Sequence, residues 1–298
     1  MTEFLQQIIN GLAWGSIYAL IALGYTMVYG VLRFINFAHG DVYMVGAMTG
    51  CLASSWLARH VGRPGFFTIL LLSMTVCAFL GALIEQVAYK PLRQAPRIHA
   101  LITAIGVSLL LEYGGQWLFG ADPKFFPPLL EDKILFQWKD LGIHKIQLLV
   151  FAVTLSLMGL LHLILHKTRL GKAMRAVSFS HTASQLVGIP LDGVIRFTFV
   201  LGSALAGAGS VLVALSNPKV EPLMGIMPGL KAFVAAVLGG IGSIPGAWAG
   251  GLLMGLSETF VVAYISSTYR DALAFIILIL VLWIRPTGLF GKPSVEKV

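Results

Sequence analysis

Residues 4–32 read FLQQIINGLAWGSIYALIALGYTMVYGVL, 29 positions without one Lys, Arg, Asp or Glu. As a helix rising 1.5 Å per residue, the stretch reaches about 43 Å, more than the roughly 30 Å hydrocarbon core of a bilayer. It is therefore read as a membrane-crossing helix. The same count down the chain finds further apolar runs at 42–58, 64–84, 98–121, 146–166, 197–218, 222–269 and 272–284, interrupted only by Glu112, Lys231 and Glu258. The run at 222–269 is too long for one crossing, and GGIGSIPG at 239–246 divides it.

Nine apolar segments follow: about 8–31, 35–58, 65–88, 98–119, 146–166, 194–216, 224–240, 245–265 and 268–285. Segment 224–240 is either a crossing or re-entrant, since irregular backbone at membrane depth must be sheltered by protein or water. The last segment is short for a bilayer. The sequence requires it to begin a turn earlier than Asp271 or to be sheltered by neighbours. The fold class is all-α, a polytopic transmembrane bundle of eight to nine segments forming a single domain over residues 1–298.

Composition agrees. Of 298 residues, 57% are hydrophobic and 11% charged, against about 25% charged in soluble domains. An ordinary soluble enzyme is excluded, and so is a disordered chain, which needs low hydrophobicity and high charge. Cys51 and Cys77 lie inside apolar runs, which argues against a disulfide scaffold or a cysteine metal site. The net charge of +8 sits on scattered basic residues and reads as loop charge rather than nucleic-acid binding. No Lys or Arg precedes Arg33, so the basic start of a signal peptide is missing.

Loop charge sets orientation. With nine crossings and an outside N-terminus, the inner side receives twelve basic residues: Arg33; Lys90, Arg93 and Arg97; Lys167, Arg169, Lys172, Arg175 and Arg196; Arg285, Lys292 and Lys297. The outer side receives eight: Arg59, Arg63, Lys124, Lys133, Lys139, Lys145, Lys219 and Arg270. A re-entrant 224–240 reverses this bias, which favours nine crossings. Residues 120–145 balance four lysines against Asp122, Glu131, Asp132 and Asp140, and read as an exterior cap with Trp138. Residues 167–193 are basic, with Asp192 their one acid, and read as an interior loop holding short helices.

Four places carry candidate function. In the interior loop, Met174, Val177 and His181 share a helical face, and Gly188 followed by Pro190 stops the helix. The loop is either an interfacial helix on anionic lipid or a docking helix for a soluble partner. Between the first two segments, Asn36, His39 and Asp41 form either a hinge and helix cap or part of a pathway. Of the isolated charges, Glu85 is placed to pair with Lys90 or Arg93. Glu112 and Glu258 pair with Lys231, line a polar cavity or relay protons. His162 reads as a hydrogen-bonded bundle residue. Small residues spaced by four (Gly242, Gly246 and Gly250; Gly251 and Gly255; Gly202 and Ala206) suit close helix packing, within the chain or against another subunit. Gly239, Gly240, Gly242 and Gly246 are candidate hinges. No P-loop, HExxH or GxSxG occurs, so no ATP site or catalytic nucleophile is nominated.

The residues also resemble a known family. NGLxxGSxYALxALG at 10–24, INFAHGD at 35–41, ASQLVGI at 183–189 and AAVLGGIGS at 235–243 are similar to the LivH-type permease subunits of bacterial branched-chain amino acid ABC transporters. The resemblance spans essentially the whole chain. It implies an inner-membrane importer subunit paired with a paralogous, LivM-like permease. It further implies two cytoplasmic ATPases that bind ATP and Mg2+, and a periplasmic substrate-binding protein; no cofactor is expected in this chain. On this resemblance, Ala183, Ser184, Leu186, Gly188 and Ile189 match the segment that seats in the ATPase, with Arg175 and Phe179 beside it. Acidic residues common before the alanine in that family are missing here, where 177–182 read VSFSHT. Leucine, isoleucine and valine are the expected cargo, with other amino acids, amides or urea as alternatives. A self-sufficient secondary carrier using Glu112 or Glu258, and a membrane-embedded transferase, are the rival readings.

Overall fold

The computed structural model describes residues 2–93, 95–138 and 141–291, without the side chains of Arg97 and Trp138. Lys139, Asp140, Lys292 and Lys297, which enter the charge count above, lie outside the described residues.

Eleven α-helices are described: α1 (Thr2–Leu32), α2 (His39–His60), α3 (Phe66–Ile84), α4 (Arg97–Phe119), α5 (Lys145–Lys167), α6 (Arg169–Phe179), α7 (His181–Leu186), α8 (Leu191–Ser216), α9 (Ile226–Gly239), α10 (Ile244–Tyr264) and α11 (Arg270–Ile284). Among the described residues, seven helical stretches are long and apolar enough to cross a membrane. Each of the nine segments expected from sequence is a helix. A π-helical turn, Glu85–Tyr89, and a 3-10 turn, Lys90–Leu92, extend α3. Another 3-10 turn, Ser267–Tyr269, precedes α11, so this segment does start a turn early. It is not sheltered: Phe275, Ile276, Ile279, Leu282 and Trp283 are exposed.

The bundle is built around α1, which is fully buried from Ile17 to Leu23 save for its small exposed traces below a tenth. Helix α10 runs antiparallel along it. A Cβ on Gly255 would lie 2.2 Å from the Gly15 nitrogen, and one on Gly251 2.5 Å from Ala19. The spaced small residues thus serve packing within this chain, where dispersion replaces the hydrophobic drive missing in lipid. Gly242 is the exception: at φ 92° it shapes the α9–α10 turn.

Two helices start inside the bundle. Helix α1 ends at Leu32, and an irregular stretch, 34–38, closes in a turn at Phe37–Ala38 and brings the chain back so that α2 begins beside Gly24. Gly24 lies eight residues, or about 12 Å, before the end of α1. Helix α9 is likewise reached through a turn, 222–225, after β4 (Lys219–Val220), and it begins with Gly225 against the Gly40 carbonyl. The two broken crossings therefore meet where Gly40 touches Gly225 and Gly229, a contact no side chain leaves room for.

The two faces are distinct. One carries α6, α7 and the end of α1, where His181 Nε2 donates to the Val31 carbonyl at 2.7 Å. Gly242 reaches Gly30 there, and Leu289 and Phe290 bond the carbonyls of Leu238 and Gly239. The opposite face carries β1 (Lys124–Phe125) paired with β4, and a hairpin of β2 (Ile134–Trp138) and β3 (Leu141–His144). Residues 224–240 thus enter from the hairpin face and leave at the α6–α7 face. Their helix, at 14 residues, is shorter than the seven stretches fit to cross a membrane, and Gly291 also lies on the α6–α7 face.

Candidate transport pathway and coupling surface

A cavity of about 820 Å3 opens at the hairpin face between α1, α5, α9 and α10. Its wall carries a four-charge cluster. Lys231 Nζ lies 3.1 Å from Glu258 Oε1 and 2.8 Å from Asp271 Oδ1, Arg270 Nε lies 3.3 Å from Glu258 Oε1, and Tyr18 Oη donates to Glu258 Oε2 at 2.8 Å. The Lys231 and Glu258 side chains are 5% and 10% exposed, whereas those of Asp271 and Arg270 are each 51% exposed. Two positive and two negative groups cancel, which is what makes charges tolerable at such burial. Glu258 thus pairs with Lys231 and lines a polar cavity, two roles that its isolation in an apolar run suggested.

The other pathway candidates fall elsewhere. Asn36, His39 and Asp41 are all buried at the start of α2, but none caps it. The N-cap is Ala38, without a side-chain cap bond. Asn36 Oδ1 accepts from Tyr89 Oη at 2.6 Å. His39 packs edge-on to Tyr25 at 4.6 Å, and its Nε2 has no hydrogen-bond partner among the described residues. Asp41 accepts from Ser108 on α4. Glu112, one turn beyond Ser108, acts on Asp41 electrostatically and has no ion pair among the described residues. It does not reach Lys231. None of these four lines the hairpin-face cavity.

On the opposite face, α6 and α7 form a projecting pair. Met174 and Val177 turn inward as the helical spacing requires. Thr168 and Ser180 cap the two helices through their side chains. Helix α7 closes with Ile189 N donating to the Ser184 carbonyl and Gly188 N to that of Gln185, Gly188 standing at φ 80°. This is the Schellman closure, which needs a residue free to enter the left-handed region. Of the seven candidate coupling residues, Phe179 and Leu186 are 85% and 83% exposed. Arg175, Ala183 and Gly188 also face outward, whereas Ser184 is buried and Ile189 packs against the core. Val187, 74% exposed, joins the apolar tip.

Some functional geometry was not legible in sequence. Arg33, at φ 57°, donates from Nη2 to the carbonyls of Ser178 and Phe179 at 3.4 and 3.3 Å. It thus ties the end of α1 to the C-terminus of α6. Beneath it, Arg93 bridges the buried Glu85 and Asp192, Lys90 pairs with Asp192 at 2.7 Å, and Arg196 lies 3.7 Å from Glu85. The expected partner of Glu85 is therefore Arg93 rather than Lys90. His162 is not a bundle residue. It lies exposed on α5, stacked on His166 at 4.1 Å.

A bundle with seven described stretches fit to cross a membrane, a cavity at each face and a projecting helix pair at one of them has the form of a polytopic membrane transport protein. The chain belongs to the branched-chain amino acid transport system / permease component family, whose pattern matches residues 7–282. It is 44% identical to the high-affinity branched-chain amino acid transport system permease protein BraD of Pseudomonas aeruginosa, covering 99% of this chain and 98% of that one. It is 39% identical to LivH of Escherichia coli, described in the same words, with the same coverage. It is also 25% identical to the ribose import permease protein RbsC of Escherichia coli, over 93% of this chain and 84% of that one. The protein is thus a multi-pass membrane transport subunit.

Proposed function

We propose that the chain is one membrane subunit of an ATP-driven importer for leucine, isoleucine and valine in the cytoplasmic membrane. A paralogous permease subunit completes the translocation unit. Two cytoplasmic ATPases, which hold ATP and Mg2+, dock on the α6–α7 face. A periplasmic binding protein delivers cargo to the hairpin face.

The observation that carries this reading is the α6–α7 tip. Phe179, Leu186 and Val187 are large apolar side chains held out on a rigid, capped helix pair. Such a rigid apolar anchor is what a partner groove needs for a tight, well-packed contact. With no acid at 177–182, contact there is carried by apolar surface and Arg175. Closure of the ATPases pulls this pair, Arg33 passes the pull to the end of α1, and the bundle shifts between two access states. The energy comes from the partners' differential stabilisation of the two states. Asn36, His39 and Asp41 then act at the break before α2, and the 239–246 turn acts as a hinge.

Cells deleted for the chain, then restored, are given labelled leucine with unlabelled competitors: isoleucine, valine, other amino acids, amides, urea and ribose. Restored uptake competed by the three branched-chain amino acids supports the proposal. Restored uptake competed only by ribose or urea overturns the cargo.

A further inference from the structure

We propose that the hairpin-face cavity is a transient subsite for a free aliphatic α-amino acid, its charged head held by Lys231, Glu258 and Tyr43. This deepens the importer reading and rests on it for the cargo class. The cavity volume of about 820 Å3 lies in the usual range for small-molecule sites. Its lining divides chemically. Tyr18, Tyr43, Lys231 and Glu258 are polar, while Ile17, Val213, Met224 and Met227 offer an apolar wall.

Tyr43 is the independent sign of a missing ligand. Its side chain is 0% exposed, it lines the cavity, and its hydroxyl has no partner among the described residues. A buried hydroxyl left unpaired is costly, and native structures rarely keep one without reason. The ion cluster supplies the rest of the recognition. Lys231 spends two of its three donors on Glu258 and Asp271. Asp271 and Arg270 are the half-exposed members, free to be replaced. A carboxylate takes the place of Asp271 on Lys231, and an ammonium takes the place of Arg270 on Glu258. A zwitterion is neutral overall, so its entry leaves the cluster balanced. A lone carboxylate or lone amine would leave a net charge in a poorly solvated site. The cavity also reaches the start of α9, where Met227 and Pro228 line it. Helix α9 starts inside the bundle, and helix starts of this kind are where transporters commonly hold polar cargo.

The test uses the full chain, purified with its co-expressed subunits, and follows its thermal unfolding. The probes are leucine, 4-methylpentanoate, which lacks the ammonium, and 3-methylbutylamine, which lacks the carboxylate. Leucine is expected to raise Tm saturably, and neither analogue to do so at equal concentration. Tyr43→Phe removes a hydroxyl that bonds nothing in the free protein. It should keep the unliganded Tm and need about tenfold more leucine for the same shift. Lys231→Gln with Glu258→Gln removes both buried charges together, so that neither is left unpaired, and should lose the leucine shift while remaining folded. A leucine shift unchanged in both variants overturns the site, and equal shifts with the analogues overturn the recognition of the head group. If cells import leucine but the protein shows no leucine shift, the subsite falls and the importer reading stands. If import fails while leucine still stabilises wild type and not Tyr43→Phe, the importer reading falls and the subsite stands.

Discussion

Tyr89 Oη donates a 2.6 Å hydrogen bond to Asn36 Oδ1, with both side chains buried. The bond joins the π-helical turn after α3 to the break before α2. π-turns are uncommon and often sit at functional positions. This one places Tyr89 against Phe34 and Phe199 as well, at 5.0 and 5.4 Å. It thereby holds the irregular 34–38 stretch in its place inside the bundle.

Tyr89→Phe leaves the Asn36 amide buried without its donor. A loss of about 1–3 kcal/mol is expected, read as a lower unfolding temperature in detergent. Uptake should fall further than membrane abundance, because the break before α2 loses its register. Equal falls in both would limit the bond to a structural role.

Gly188→Val places a β-branched side chain at φ 80°, a conformation such residues strongly disfavour. Open space surrounds the position, so backbone strain, not a clash, is the cause. The Schellman closure of α7 should open and displace Leu186 and Val187. Membrane abundance is expected to stay within about twofold while uptake is lost, measured by immunoblot and by transport in the same cells.

Phe179→Asp and Leu186→Asp put charge on the exposed tip without touching Met174 or Val177 beneath it. Both proteins should insert and fold normally. Co-purification of the ATPases with the tagged chain should drop by about tenfold or more, as expected on loss of an interface anchor. Unchanged recovery of the ATPases would move the docking surface elsewhere.

Glu85→Gln removes the buried partner of Arg93 and Arg196. Breaking a buried ion pair by losing one member costs about 3–5 kcal/mol, and the 20% exposure of Arg93 points to the lower end. The variant should unfold at lower temperature, and Glu85→Gln combined with Arg93→Met should recover part of the loss.

Much of this architecture is visible in the chain itself. The 29-residue opening run becomes α1, and the Gly-rich stretch at 239–246 becomes the α9–α10 turn. Charges stranded in apolar sequence are few, so Glu112 and Glu258 stood out as candidate partners of Lys231, and the bundle brings only Glu258 to it among the described residues. Other features were hidden because they depend on contacts between distant residues. Arg33 meets Phe179 across 146 positions and Asn36 meets Tyr89 across 53, and no local pattern marks either. The segment expected at 35–58 begins as helix only at His39, because its apolar residues run on through an irregular stretch that ends in a turn. Hydropathy registers that stretch but not its conformation. The loop at 120–145 showed its length but not its hairpin, whose strands of five and four residues are too short for a period of two to stand out.

The central claim, that this chain passes leucine under the drive of partner ATPases, is tested most directly in proteoliposomes. The chain is reconstituted with its co-expressed subunits and its binding protein, and labelled leucine uptake is measured with and without ATP. The account predicts uptake that requires ATP, persists when a proton uncoupler is added, and is lost with Phe179→Asp. Uptake that proceeds without ATP and stops with the uncoupler would contradict it, and would assign the chain to the secondary carriers.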